Sequence, residues 1–228
     1  MVTAGCGRIR PSRPPLVGSA GVPDSAWGTR DPRGACHHGS VDADRAVVGQ
    51  TDGGASVFVA RPDDVPCVQA LLSAAVHRVA ALGYRQWWDP FPVETIEDSV
   101  RRGETYLAFD EGMVVGTIAV QWDDPTYWGV RPPDAGYVHR LCTAARVARP
   151  GLGVELLSWA ASMASDRGRG WIRLDTPAAN ARLCSYYESL GFRHRGETDV
   201  TVKGASDTPE RWRCALYERS TRTPFPGN

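Results

Sequence analysis

At 228 residues the chain is long enough for one sizeable domain, or for a domain with an appendage. Its 26 Lys and Arg residues balance 26 Asp and Glu, so the formal net charge is zero. That balance argues against a nucleic-acid binder relying on overall positive charge, and no apolar run is long enough to span a membrane. Residues 1–54 hold fifteen Gly or Pro, and apart from Ile9 and Leu16 their large aliphatics are valines. Such a segment buries too little to offset its ordering entropy, so 1–54 is predicted to be a flexible extension. A domain is expected over 55–220, followed by a flexible tail, 221–228. Within it, "SVFVA" (56–60) is β-prone. Asp64 can then cap a helix in which Val68, Leu71, Leu72, Ala75, Val76 and Val79 share a face and Gly83 is the stop. A second helix is predicted at 92–102, with Val93, Ile96 and Val100 on one face and Gly103 at its end. "TYLAFDEGMVVGTIAVQW" reads as a hairpin about Asp-Glu-Gly, and "GYVHRLCT" (136–143) as a strand. A helix running to about Asp166 follows, with Leu152, Leu156, Leu157 and Ala160 inward and Gly168 past its end. "WIRLDT" (171–176) is a strand, 179–190 a helix, and "TDVTVK" with "RWRCALYE" a closing pair of strands. Hairpins together with one strand–helix–strand unit predict an α/β fold with a mixed sheet.

Six cysteines (Cys6, Cys36, Cys67, Cys142, Cys184, Cys214) lie scattered, with no C-x-x-C pair and no secretory h-region. Reduced thiols in a cytoplasmic protein are therefore expected rather than a disulfide framework. "CHHG" (36–39) lacks the distant partner pair of a structural metal site, and no metal is expected.

The stretch "ARVARPGLGVELLSWA" (144–159) places Gly151 and Gly153 where an arginine-bearing link becomes a helix. A dinucleotide fingerprint would need a third glycine where Leu156 stands, and a P-loop would need Lys-Ser/Thr where Val154-Glu155 stand. Both fail. A helix start still presents amides without intrahelical acceptors, and glycines let an anion approach them. An anion cradle and a ligand-free helix start fit this spacing equally well.

Taken together, "YVHRLCTAARVARPGLGVELLSWA" and "WIRLDTPAANARLCSYYESLGF" resemble the coenzyme A-binding half of the GNAT superfamily of acyl-CoA-dependent N-acyltransferases. The matching residues are Gly151, Gly153, Asn180, Tyr186, Tyr187, Gly191 and Phe192, and the resemblance extends over about 56–219. It implies a mixed, mostly antiparallel sheet flanked by helices, with a strand–helix–strand core for acetyl-CoA. One departure is that Ala148 occupies the family's Gln/Arg position, so Arg149 or Arg146 would have to supply that charge. Leu141, Cys142, Thr143, Arg149, Gly151, Leu152, Gly153, Val154 and Asn180 are the residues the resemblance assigns to acetyl-CoA.

The implied reaction is direct transfer of acetyl from acetyl-CoA to a primary amine of a small molecule or peptide. Tyr187 matches the family's acid, a phenol suited to protonating a departing thiolate, while Tyr186 is expected to pack the helix against the sheet. His139 is the candidate base, and a strand histidine with a structural hydrogen bond is its other reading. Glu104, Asp134 and Glu94 are weaker alternatives. Amides near Cys142 would meet the oxyanion, with Cys142 itself no nucleophile. The tryptophan- and carboxylate-rich stretches 83–92 and 121–128 suggest Trp87, Trp88, Trp122 and Trp128 as an aromatic wall, with Asp123 and Asp124 attracting a cationic amine. Core packing is the competing fate of at least two of these rings. A non-catalytic acyl-CoA-binding module on the same fold is the alternative function, with Ala148 as its best support. Nucleic acid and membrane are not expected as partners. A homodimer is an expectation from the family alone.

Overall fold

The computed structural model describes residues 45–87, 90–145, 149–203 and 209–226. Eight strands are present there: β1 (Val47–Gln50), β2 (Ser56–Val59), β3 (Thr105–Asp110), β4 (Met113–Gln121), β5 (Ala135–Thr143), β6 (Trp171–Pro177), β7 (Arg193–Lys203) and β8 (Pro209–Ser220). The helices are α1 (Val65–Ala81), α2 (Val93–Arg101), α3 (Pro125–Trp128), α4 (Leu152–Asp166) and α5 (Ala181–Ser189), with a 3-10 turn at Pro62–Asp64. The strands form one sheet in the order β1-β2-β3-β4-β5-β6-β8-β7. All neighbours are antiparallel except β5 and β6, which α4 joins as a crossover.

The apolar periodicities account for these layers. Val68, Leu71 and Leu72 of α1 and Ile96 and Val100 of α2 pack on Phe58, Leu107 and Phe109 of the sheet. Leu152, Leu156, Leu157 and Ala160 of α4 pack on Val115, Ile118, Val120 and Ile172 across the opposite face. With helices on both faces, β3 and β4 are nearly continuous runs of buried residues rather than alternating ones. Full burial of each large aliphatic contributes roughly 1.5–3 kcal/mol.

Three findings differ from the sequence-based expectations. Residues 47–50 form a strand: β1 pairs with β2 from Val47↔Phe58 to Gln50↔Ser56, so the sheet begins before residue 55. Its signal is weak because a four-residue edge strand needs little apolar content. The segment after 220 is held down as well: Arg219 donates to the carbonyls of Leu190, Thr223 and Pro224, and its guanidinium lies 3.7 Å from the centroid of the buried Phe225 ring. Finally, α3 interrupts the "QWDDPTYW" stretch, with the Asp124 side chain accepting from Tyr127 N at 3.3 Å as its N-cap.

Candidate active site where two strands part

Two irregularities of β5 make the site. First, β5 and β6 pair only from Ala135↔Trp171 to Val138↔Leu174, after which each strand continues without the other. Second, β5 bulges against β4: Ala119 pairs with His139 and Thr117 with Cys142, leaving Arg140 and Leu141 opposite Ile118 alone. Arg140 takes φ +49°, a conformation that residues other than glycine seldom adopt. Bulges re-aim side chains and recur beside active sites. The parting opens a cavity of about 340 Å³, lined by Val138, His139, Arg140 and Leu141 on one side and Leu174, Asp175 and Tyr187 on the other.

At its throat stands an imidazole between two carboxylates. His139 Nε2 lies 3.3 Å from Asp124 Oδ2, and its Nδ1 lies 3.6 Å from Asp175 Oδ1. All three side chains are largely buried, and neither His139 Nε2 nor Asp124 Oδ2 has an aligned hydrogen-bond partner. Burial, chiefly, raises the Asp175 carboxyl to about 6; His139 opposes this and the neighbouring Asp124 adds to it. The three ligand atoms lie within 4.8 Å of one another, the one such grouping among the described residues, so the cluster suits a cation, whether an ammonium or a divalent metal.

Of the two tyrosines of α5, Tyr187 rather than Tyr186 packs against the sheet. Tyr187 is buried, packed on Phe192 and Tyr217, and reaches the cavity; burial pushes its phenol upward, so it carries its proton at neutral pH. Tyr186 does not pack into the sheet. It is exposed, and its hydroxyl lies 3.5 Å from where a Cβ of Gly153 would stand.

Around the start of α4, Gly151 is the N-cap at φ +90°. Leu152 is fully buried and Val154 partly so, so these positions offer backbone rather than side chain to a ligand. Arg149 is engaged within the protein, bonding Asp110 Oδ2 at 2.7 Å, Glu155 Oε2 at 3.0 Å and the Gly53 carbonyl. Arg146 and Ala148 lie outside the described residues. On β5, Leu141 faces the cavity, Cys142 packs toward α1 and α2, and the Thr143 carbonyl accepts from Arg78 at 2.9 Å. Burial drives the Cys142 thiol up to about 12, which removes it as a nucleophile near neutrality. Asn180 is the buried N-cap of α5, accepting from Leu183 N at 3.1 Å.

Of the proposed aromatic wall, Trp87 lines the cavity and meets Phe91 edge-on, while Trp88 lies outside the described residues. Trp122 and Trp128 are elsewhere. Trp122 is stacked under Arg167 at 4.5 Å beside α4, and Trp128 packs with Tyr137 and Leu216 beneath Arg173. Asp123 is exposed; its neighbour Asp124 is the residue turned inward. Of the two carboxylates expected to attract an amine, Asp124 thus lines the cavity and Asp123 does not, while sequence reasoning passes over Asp175, Arg140, Tyr127 and Trp212, which line it too. For Asp124 a signal exists: Asp before Pro marks a helix N-cap, which turns that carboxylate toward the chain.

Known proteins share this architecture. The model of the acetyltransferase (GNAT) family matches residues 70–192. The uncharacterized N-acetyltransferase YesJ of Bacillus subtilis (strain 168) is 26% identical over an alignment of 143 residues that covers 59% of this chain and 79% of the relative. A GNAT-family acetyltransferase of Listeria monocytogenes superposes with a TM-score of 0.58 at 22% identity, covering 77% of this chain and 98% of the other. YncA of Salmonella typhimurium, solved with its cofactor acetyl-CoA, superposes at 0.52 with 15% identity over 77% and 98%. The superpositions agree with the fold, and because the family model matches residues 70–192, more than half of the chain, the chain belongs to the GNAT acetyltransferase family.

Proposed function

We propose that the chain transfers an acetyl group from acetyl-CoA to a primary amine. The observation that carries this reading is the parting of β5 and β6 over a cavity that holds His139 and Tyr187 together. The start of α4 suits the pyrophosphate of the donor: Gly151 and Gly153 leave the backbone uncovered, and a side chain at 153 would project toward the Tyr186 hydroxyl. When bound, acetyl-CoA supplies an activated acetyl thioester.

The chain's own residues then manage protons. The acceptor arrives as an ammonium, which Asp124 and Asp175 attract, and His139 takes its proton so that nitrogen can attack. Tyr187, held protonated by burial, keeps a proton at its hydroxyl for the departing thiolate. Backbone amides of β5 past Val138, freed from β6, are available to the developing oxyanion. Acetyl passes directly to the acceptor, in keeping with the inert Cys142 thiol.

The test is calorimetric titration of the full chain with acetyl-CoA, followed by assay of amine-dependent thiol release. Acetyl-CoA should bind in preference to ATP or NADH, and Gly153→Glu should weaken it. Tyr187→Phe should lower kcat by roughly ten- to ten-thousandfold. Binding without any amine-dependent release would instead make the chain a non-catalytic acyl-CoA-binding module.

A further inference from the structure

The cavity also holds a cation for which the reaction above has no use. Successive strand residues normally point to opposite faces, yet His139 and Arg140 both line the cavity. The bulge at φ +49° is what brings Arg140 there. Its Nη2 donates to Ser99 Oγ at 2.6 Å, and its Nε is buried without a partner. Among the described residues no carboxylate stands within ion-pair distance of it, whereas the buried Arg173 has Glu218 and Asp134, and Arg149 has Asp110 and Glu155. Glu104 is near enough to favour its charge, but Glu104 Oε2 is held by Arg102 at 2.9 Å and Gln121 at 3.2 Å. A guanidinium cannot shed its charge as a lysine can, and a buried cation with open donors calls for an anion.

The cavity is therefore polarised, with carboxylates and imidazole at one place and a guanidinium at another. Tyr127 stands in the field of both: burial first, then Asp175 and Asp124, push its phenol upward while Arg140 opposes them. We infer that the acceptor is a zwitterion of the amino-acid class, its ammonium seated at Asp124, His139 and Asp175 and its carboxylate on Arg140. This rests on the acetyl-transfer reading above and names its substrate class. The chemistry balances: the N–C bond forms as C–S breaks, His139 takes the first ammonium proton before attack, the thiolate takes the proton of Tyr187, and the second proton that nitrogen loses as the amide forms returns to the Tyr187 phenolate. The product keeps its carboxylate but loses the positive charge the two aspartates held, which favours its release.

The experiment compares phenylalanine, β-alanine and γ-aminobutyrate, each against its own carboxamide, as acceptors for the full chain. At one spacing or more the acid should exceed its amide in kcat/KM by on the order of ten- to a hundredfold, the worth of a charge-assisted contact. Arg140→Gln should erase that preference, and Arg140→Lys should restore part of it. An equal loss on acid and amide would mean that Arg140 serves the thioester and would overturn the inference; so would a parent that prefers amides. Should a variant not fold, calorimetric binding of each pair to the parent chain loaded with coenzyme A draws the same distinction between acid and amide. If acetyl-CoA binds but neither acid nor amide binds or reacts, the zwitterion inference fails alone. If acetyl-CoA does not bind, the transfer reading fails, and amino-acid binding abolished by Arg140→Gln would still uphold the subsite.

Discussion

Asp175 shows how a residue can serve function against stability. Its carboxyl is raised to about 6 in the fold, chiefly by burial, so folding takes up a proton between the ordinary carboxylate range and that value. Its contribution to stability is complete below about pH 4 and is lost as pH rises through about 6. Asn stays neutral throughout. Asp175→Asn should therefore stabilise the chain by about 3 kcal/mol near neutral pH and by nothing below about pH 4, while slowing turnover. Thermal denaturation at the two pH values, with kcat/KM beside it, checks this; a variant less stable at neutral pH would show instead that the carboxylate is structurally paired. The roles of such residues are only partly legible in sequence. His139 and Tyr187 stand out by type and spacing, but Asp123 and Asp124 look alike there, because nothing in "WDDP" except the cap rule says which carboxylate turns inward.

At the scale of elements, the parallel pair β5–β6 is short and is clamped below the point where it parts. Arg173 of β6 donates to Glu218 of β8 at 2.7 Å, to Tyr137 of β5 at 3.0 Å and to Asp134 at 2.9 Å. This network ties three strands together just where the sheet is about to open. Arg173→Ala would leave the buried Glu218 only the exposed Arg195, at 3.5 Å, and should cost about 3 kcal/mol, seen as a lowered midpoint in urea. An unchanged midpoint would show that the clamp contributes nothing. The elements themselves are legible because periods of 3.6 and 2 follow from which face is buried. The bulge at Arg140 is not, since it depends on the register between two strands.

Across the whole molecule, β1 and the loop behind it brace the start of α4. Thr51 donates to Glu155 Oε2 at 2.6 Å, and the Gly53 carbonyl accepts from Arg149. A chain beginning at residue 55 loses this bracing along with the edge strand. It should melt at lower temperature than the full chain and bind acetyl-CoA more weakly; equal melting and equal affinity would show that β1 is dispensable. Local patterning of apolar residues, glycines and caps was enough to determine the order of the elements other than β1 and α3, their buried faces and the family likeness, because these depend on neighbours within a few positions. Only the tertiary structure decided which of the aromatic and acidic residues meet in the cavity, that Tyr187 rather than Tyr186 is buried, and that Arg140 faces the same space as His139. Those outcomes hang on strand register, on where β5 leaves β6 and on contacts between residues far apart in sequence, and no short-range pattern encodes them.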